Sequence, residues 1–154
     1  LAIPLYEQLE LLKHNWKAIV LGILSGVLAS LGSILGMAVL FGMSHEEYVT
    51  FLPKSITTAI GMGVSEKLGG FVPISVAAII ITGVLGNIFA ELIFRIFRIR
   101  EPIARGIALG TASHAIGTAK AMELGEVEGA MSSLSIVVAG LVTVGGASVF
   151  SLIR

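Results

Sequence analysis

The chain has 154 residues, of which 55% are hydrophobic and only 13% charged, and its ten basic and ten acidic side chains cancel. Soluble domains carry about 25% charged residues, so this composition, with a mean hydropathy of +0.97, belongs in a bilayer. The balanced charge leaves no field to attract nucleic acid, and the lack of cysteine excludes disulfides, thiolate metal sites and a cysteine nucleophile.

Residues 1–17 are amphipathic and include Lys13, His14, Trp16 and Lys17; residues 18–41 then carry no charge. As a helix that stretch reaches about 36 Å, enough to cross a hydrocarbon core of about 30 Å. Trp16 and Lys17 stand where an interfacial aromatic and a snorkelling cation belong. Gly22, Gly26, Ser30 and Ser33, with Gly32 and Gly36 beside them, suit close helix packing. Residues 44–51 read as an exposed polar connection. Residues 52–63 are too short to span and carry Lys54, Ser55, Thr57 and Thr58. A loop at 65–70 leads into an uncharged stretch at 71–90, closed by Glu91 and Arg95 at ion-pair spacing. Arg95, Arg98, Arg100 and Arg105 form the densest basic cluster and, with Lys13 and Lys17, mark the cytoplasmic side. Residues 103–122 are long enough to span but unusually polar, and the loop 123–129, whose Glu123, Glu126 and Glu128 read as solvated charges, precedes a last uncharged span at 130–153.

A pattern recurs across this layout. Ser55-Ile56-Thr57-Thr58-Ala59-Ile60-Gly61 leads into Leu68-Gly69, and Thr111-Ala112-Ser113-His114-Ala115-Ile116-Gly117 leads into Leu124-Gly125, with an offset of 56 and five identical positions. Paired interrupted segments in two related halves point to a transporter's binding site. With both basic flanks inside, residues 52–63 enter and leave on the outer side, and their repeat mate near 111–125 enters from the inner side. The fold expected is an all-α polytopic membrane protein forming one transmembrane domain over 1–154. Its repeat units, at about 52–94 and 103–153, each bear a re-entrant or broken helical hairpin, and the two are related as an inverted repeat whose tips meet near the midplane.

The repeat also places the polar groups. On a helix, Lys54, Thr57 and Thr58 share one face, as do Thr111, His114 and Thr118, with Gly106, Gly110, Ser113 and Gly117 as a small-residue face beside them. An ammonium, hydroxyls and half-helix N-termini aimed at one point suit a small carboxylate, and an ionisable group at membrane depth marks function. Structural alternatives stand beside this reading. Lys54 can snorkel to the interface, His114 can pack with its ring bonded to a backbone carbonyl, and transmembrane hydroxyls can bond their own i−4 carbonyls. Asn87 reads as an interhelical hydrogen-bonding residue. No phosphate-binding loop, H-E-x-x-H or G-x-S-x-G signature is present, and Ser113-His114 point about 100° apart on a helix. No catalysis, metal or cofactor is expected.

The same residues resemble the LrgB/CidB family of bacterial membrane proteins. The resemblance lies in Leu52-Pro53-Lys54-Ser55-Ile56-Thr57-Thr58, the Leu68-Gly69-Gly70 turn, Ile81-Thr82-Gly83, the run from Gly110 to Ala119, Glu126-Val127-Glu128-Gly129-Ala130-Met131-Ser132-Ser133, and Leu5-Tyr6-Glu7-Gln8. It departs from the family pattern at Ala59, where Pro is common, and at Ala115, where Gly is. The family is longer at the N-terminus, and this chain starts at Leu1, so it reads as the C-terminal portion of a longer protein. The resemblance implies a multi-pass protein of the bacterial cytoplasmic (inner) membrane, antiholin-like and tied to murein hydrolase activity and autolysis. It also implies a small holin-like membrane partner of the LrgA/CidA type. A plastid relative moves glycolate and glycerate, and bacterial relatives are associated with pyruvate. By motif match, the implied substrate-site residues are Lys54, Ser55, Thr57, Thr58, Ser113, His114 and Thr118, to which the repeat adds Thr111. The leading expectation is therefore a transporter, or transport subunit, for small 2-hydroxy or 2-keto monocarboxylates such as glycolate, lactate or pyruvate. The alternative is an antiholin-like regulator acting through the small holin-like partner. Small-residue helix faces make a homodimer plausible.

Overall fold

The structure, a computed structural model, describes Tyr6 and residues 8–154. Leu5 and Glu7 of the motif near the start, and the opening of the amphipathic lead, lie outside the described residues. Within the described residues the chain is helical without strands: α1 (Leu9–Phe41), α2 (His45–Phe51), α3 (Thr58–Leu68), α4 (Val72–Ile96), α5 (Pro102–Leu124) and α6 (Glu126–Phe150). Three of these are long and apolar enough to cross a membrane, over Glu10–Phe41, Val72–Ile96 and Glu126–Phe150.

The scaffold is α1 and α6 side by side. Ile19, Ile23, Val27, Leu31, Ile34 and Ala38 recur every three or four residues and are all buried, forming the apolar stripe by which an amphipathic helix packs. Small residues let the backbones close: a Cβ on Gly146 of α6 would stand 2.7 Å from the Leu31 side chain. The far ends are tied by polar contacts. The Tyr48 hydroxyl donates to the Phe150 carbonyl at 3.1 Å, and Arg154 donates to the Met43 carbonyl at 2.6 Å. At the near end α1 bends at Asn15 (φ −108°, ψ 15°), which joins the amphipathic lead to the apolar stretch.

Two interrupted segments pack on this scaffold. In the first, α2 and α3 flank the turn at 52–57. The Thr50 hydroxyl accepts from the Phe71 amide at 2.8 Å, and the Thr50 carbonyl accepts from Ser75 Oγ at 2.7 Å. The segment therefore returns to its starting level before α4 begins. Its turn reaches Ser30 of α1, about 16 Å along the helix from Phe41.

The second segment is α5, whose helix breaks at His114 (φ 42°, ψ −133°). In a continuous helix Leu109 and Gly117 would be about 12 Å apart, yet a Cβ on Gly117 would stand 2.6 Å from the Leu109 carbonyl oxygen. The chain thus doubles back at His114. The outgoing arm lies parallel to α6, since Gly106 abuts Glu128 and Gly110 abuts Ser132, each 2.5 Å from a backbone oxygen if a Cβ were added. The returning arm runs antiparallel to it, with Thr118 bonded to Ser132 and Gly129 against Met122. The outgoing arm also runs parallel to α1, with Gly22 against Ile107 and Gly26 against Thr111. Its tip stands against Ile79, Gly83 and Gly86, near the middle of α4.

Several local expectations change. Residues 44–51 are not an exposed connection: α2 is capped by a reciprocal Ser44–Glu47 box and buries Tyr48, Val49 and Thr50. The expected loop at 65–70 is mostly helix, since α3 continues to Leu68 and turns at Gly69 with φ 82°. Of the loop expected at 123–129, only Gly125 is non-helical, and Glu128 is buried with an oxygen 4.0 Å from Arg105 rather than solvated. Glu91 pairs with Lys120 across to α5 at 2.6 Å, not with Arg95. Asn87 does bridge helices, donating to the Ile116 carbonyl at 3.1 Å.

Candidate functional site

The turn at 52–57 delivers one cation to the middle of the fold. Lys54 Nζ donates to Ser55 Oγ at 3.0 Å and reaches Ser30 Oγ at 3.4 Å, and the two serine hydroxyls bond each other at 2.9 Å. No acidic side chain neutralises this ammonium among the described ion pairs. Its surroundings therefore offer hydroxyl ligands and leave the positive charge uncompensated.

This cluster lies at the inner end of a cavity of about 900 Å³. One wall is the α1 face carrying Ser25, Ser30 and Ser33; the other is the outgoing arm of α5, including Thr111. The cavity extends from Asn15 and Glu101 at one end of the fold to Ser33, about 27 Å along α1. A second cavity, of about 390 Å³ and largely apolar, extends from Lys54 toward Phe41 and Met43 at the other end. Among the described residues Lys54 alone lines both.

The expected site residues divide. Lys54, Ser55 and Thr111 line the large cavity together. They do not share one helical face with Thr57 and Thr58, because Thr57 is the extended N-cap of α3 (φ −63°, ψ 145°) and Lys54 precedes the helix. Thr57 and Thr58 are half-buried and line neither of these cavities. Ser113, His114 and Thr118 are buried among helices. Nε2 of His114 donates to the Ile79 carbonyl at 2.9 Å, while Thr118 donates to the His114 carbonyl at 2.9 Å and bonds Ser132 at 2.7 Å. Ser113 is pressed against Gly86, where any Cβ would collide with it. Thr111 spends its proton on the Ile107 carbonyl at 2.7 Å, leaving its oxygen as an acceptor.

Ser25, Ser30 and Ser33 are the lining hydroxyls, among the described residues, that the sequence pattern did not assign to a site. Ser30 and Ser33 lie in a charge-free run whose small residues suit close helix packing equally well. Gly22 and Gly26 do pack closely, but against α5 of the same chain, so these two glycines are not free for a partner.

Fold and site together define an all-helical membrane protein with a cavity, lined in part by hydroxyls, that ends at a half-buried lysine. Comparison with known proteins makes this specific: a family model described as the LrgB-like family matches residues 1–153, and the chain belongs to that family. It is 41% identical over 143 residues to proteins named antiholin-like protein LrgB from Bacillus mycoides (strain KBAB4), Bacillus cereus (strain B4264) and Bacillus anthracis (strain CDC 684 / NRRL 3495). Each match covers 93% of this chain and 62% of the relative, so the chain spans less than two thirds of the relatives' length. No solved structure matches it significantly.

Proposed function

We propose that the chain is the greater part of an antiholin-like membrane regulator working in a bacterial cytoplasmic membrane, with a small holin-like membrane protein as its partner. The family and the names of the relatives support this reading. It assigns the chain no catalytic step. The test is lysis: removing the full-length protein from a host that retains the small partner should hasten autolysis, and restoring it should slow lysis again. Unchanged autolysis in both backgrounds would overturn the reading.

A second reading is favoured by one observation, the position of Lys54 between two cavities that reach toward opposite ends of α1. On this reading the protein binds and moves a small 2-hydroxy or 2-keto monocarboxylate. Lys54 neutralises the carboxylate, while Ser30, Ser55 and the Thr111 oxygen orient the adjacent hydroxyl or keto group. A charge-assisted hydrogen bond is about twice as strong as a neutral one, so the ammonium dominates binding and the hydroxyls select among substrates. The interrupted segments are the elements that would shift against α1 to change which cavity meets Lys54. Saturable uptake of labelled pyruvate, glycolate or lactate by proteoliposomes, lost in Lys54→Met, is the expected result. Uptake indifferent to Lys54→Met would overturn it. The two readings coexist where carboxylate flux itself governs lysis.

A further inference from the structure

The end of α4 opposite Thr50 carries a second polar cavity, of about 330 Å³, lined by Arg95, Arg98, Arg100 and Arg105 together with Glu91 and Phe94. Its only acidic lining residue among the described residues, Glu91, is engaged by Lys120 at 2.6 Å. Arg105 forms a fixed wall: its Nε donates to the Ile99 carbonyl at 2.8 Å, and its guanidinium lies over the Phe94 ring at 5.6 Å and within 4.0 Å of Glu128. Arg95, Arg98 and Arg100 make no ion pair among the described residues.

The backbone beneath the cavity departs from what local energetics favours. The Ile99 amide bonds the Phe94 carbonyl at 2.9 Å and the Arg98 amide bonds the Arg95 carbonyl at 3.3 Å. That pattern is a Schellman helix end, whose left-handed residue is usually glycine. Here the position is Arg98, with φ 55°. An L side chain there costs stability that glycine would not, and strain of this kind is kept where a side chain has work to do. The reversal carries the chain from Arg95 round to Arg100 and on to Arg105, so that four guanidiniums border one space.

We propose that this arginine-lined cavity binds the phosphate group of an anionic phospholipid. Guanidinium forks match phosphate oxygens bidentately, and basic pockets at helix ends hold acidic headgroups. A lipid is favoured over a soluble phosphate by what surrounds the cavity. It sits at the last turn of a helix apolar enough to span, next to Ile96 and Phe97, which are 64% and 72% exposed. A headgroup in the cavity would lay its acyl chains along these residues.

Native mass spectrometry of the detergent-purified full-length protein, offered equal phosphatidylglycerol and phosphatidylcholine, tests the site. Retention of phosphatidylglycerol at least about tenfold over phosphatidylcholine is expected, falling to near parity in Arg95→Gln/Arg100→Gln and unchanged in Lys13→Gln/Lys17→Gln. The latter pair removes equal charge outside the cavity. Equal retention of both lipids, or equal loss in both double variants, would overturn the proposal. Arg98→Gly supplies a readout that a merely structural residue would not give. It should raise the melting temperature of the delipidated protein while shrinking the further rise on adding phosphatidylglycerol; an undiminished lipid-dependent rise would count against the site. Stabilisation by inorganic phosphate matching that by phosphatidylglycerol, and lost with the same arginines, would overturn the lipid assignment.

Discussion

The two interrupted segments carry related sequences and put them to different uses. The turn at 52–57 presents Lys54 and Ser55 to a cavity, whereas the break in α5 buries Ser113, His114 and Thr118 in contacts with α4 and α6. The first interruption supplies a charge with hydroxyl ligands; the second supplies a reversal locked by hydrogen bonds. A repeated motif therefore fixes where the backbone breaks without fixing which side chains meet a ligand. The neighbours decide that: Gly83 and Gly86 let α4 close over the second tip, while Ser25, Ser30 and Ser33 of α1 keep a polar wall open beside the first.

The contrast can be broken most severely at the tight contacts of α5. Replacing Gly106 with Leu drives a side chain into the Glu128 backbone; overpacking costs about 1–3 kcal/mol and more where backbone must move. The expected outcome is a large fall in melting temperature and membrane-protein yield, with both cavities lost. At the second tip, His114→Ala removes the bond to the Ile79 carbonyl and keeps an L residue at φ 42°. The Ile79 carbonyl keeps its partner within α4, so the loss is that of one additional hydrogen bond, about 0.5–1.5 kcal/mol. His114→Gly also loses the bond but relieves backbone strain of about 1–3 kcal/mol, so it should melt closer to wild type than His114→Ala. A lower melting point for the glycine variant would contradict the assignment of His114 as a reversal point.

At the first tip the order of effects inverts. Lys54→Met should leave the fold intact by circular dichroism and thermal melting, because among the described residues the ammonium hydrogen-bonds only two hydroxyls, and should remove carboxylate binding. Ser30→Ala is the gentlest probe. Interhelical hydrogen bonds in membrane proteins average about 0.6 kcal/mol, so its melting shift should be small and its main effect a change in preference among glycolate, lactate and pyruvate.

Much of this organisation was legible in the sequence. The charge-free runs gave the three long helices, the recurrence at 55 and 111 located both interruptions, and Gly106, Gly110 and Gly117 marked close contacts that the structure contains. The short helix at Tyr48 was hidden because its buried face needs Phe150 of the distant C-terminal helix. The pairing of Glu91 depended on whether Lys120 or Arg95 comes nearer across space, which i, i+4 spacing cannot decide. The division of the site residues was not legible either. Helical periodicity puts Lys54 with Thr57 and Thr58 only if the helix starts before Lys54, and it starts at Thr58. Ser30 and Ser33 read as packing residues because a small hydroxyl side chain serves a close contact and a cavity wall equally well.

The most direct measurement is uptake of labelled pyruvate, glycolate and lactate by proteoliposomes holding the full-length protein with its small partner, comparing wild type, Lys54→Met and His114→Gly. If the first interruption holds the ligand and the second shapes the backbone, saturable uptake disappears in Lys54→Met and persists in His114→Gly. Uptake that survives Lys54→Met, or no uptake of any of the three by folded wild-type protein with its partner, would contradict that division.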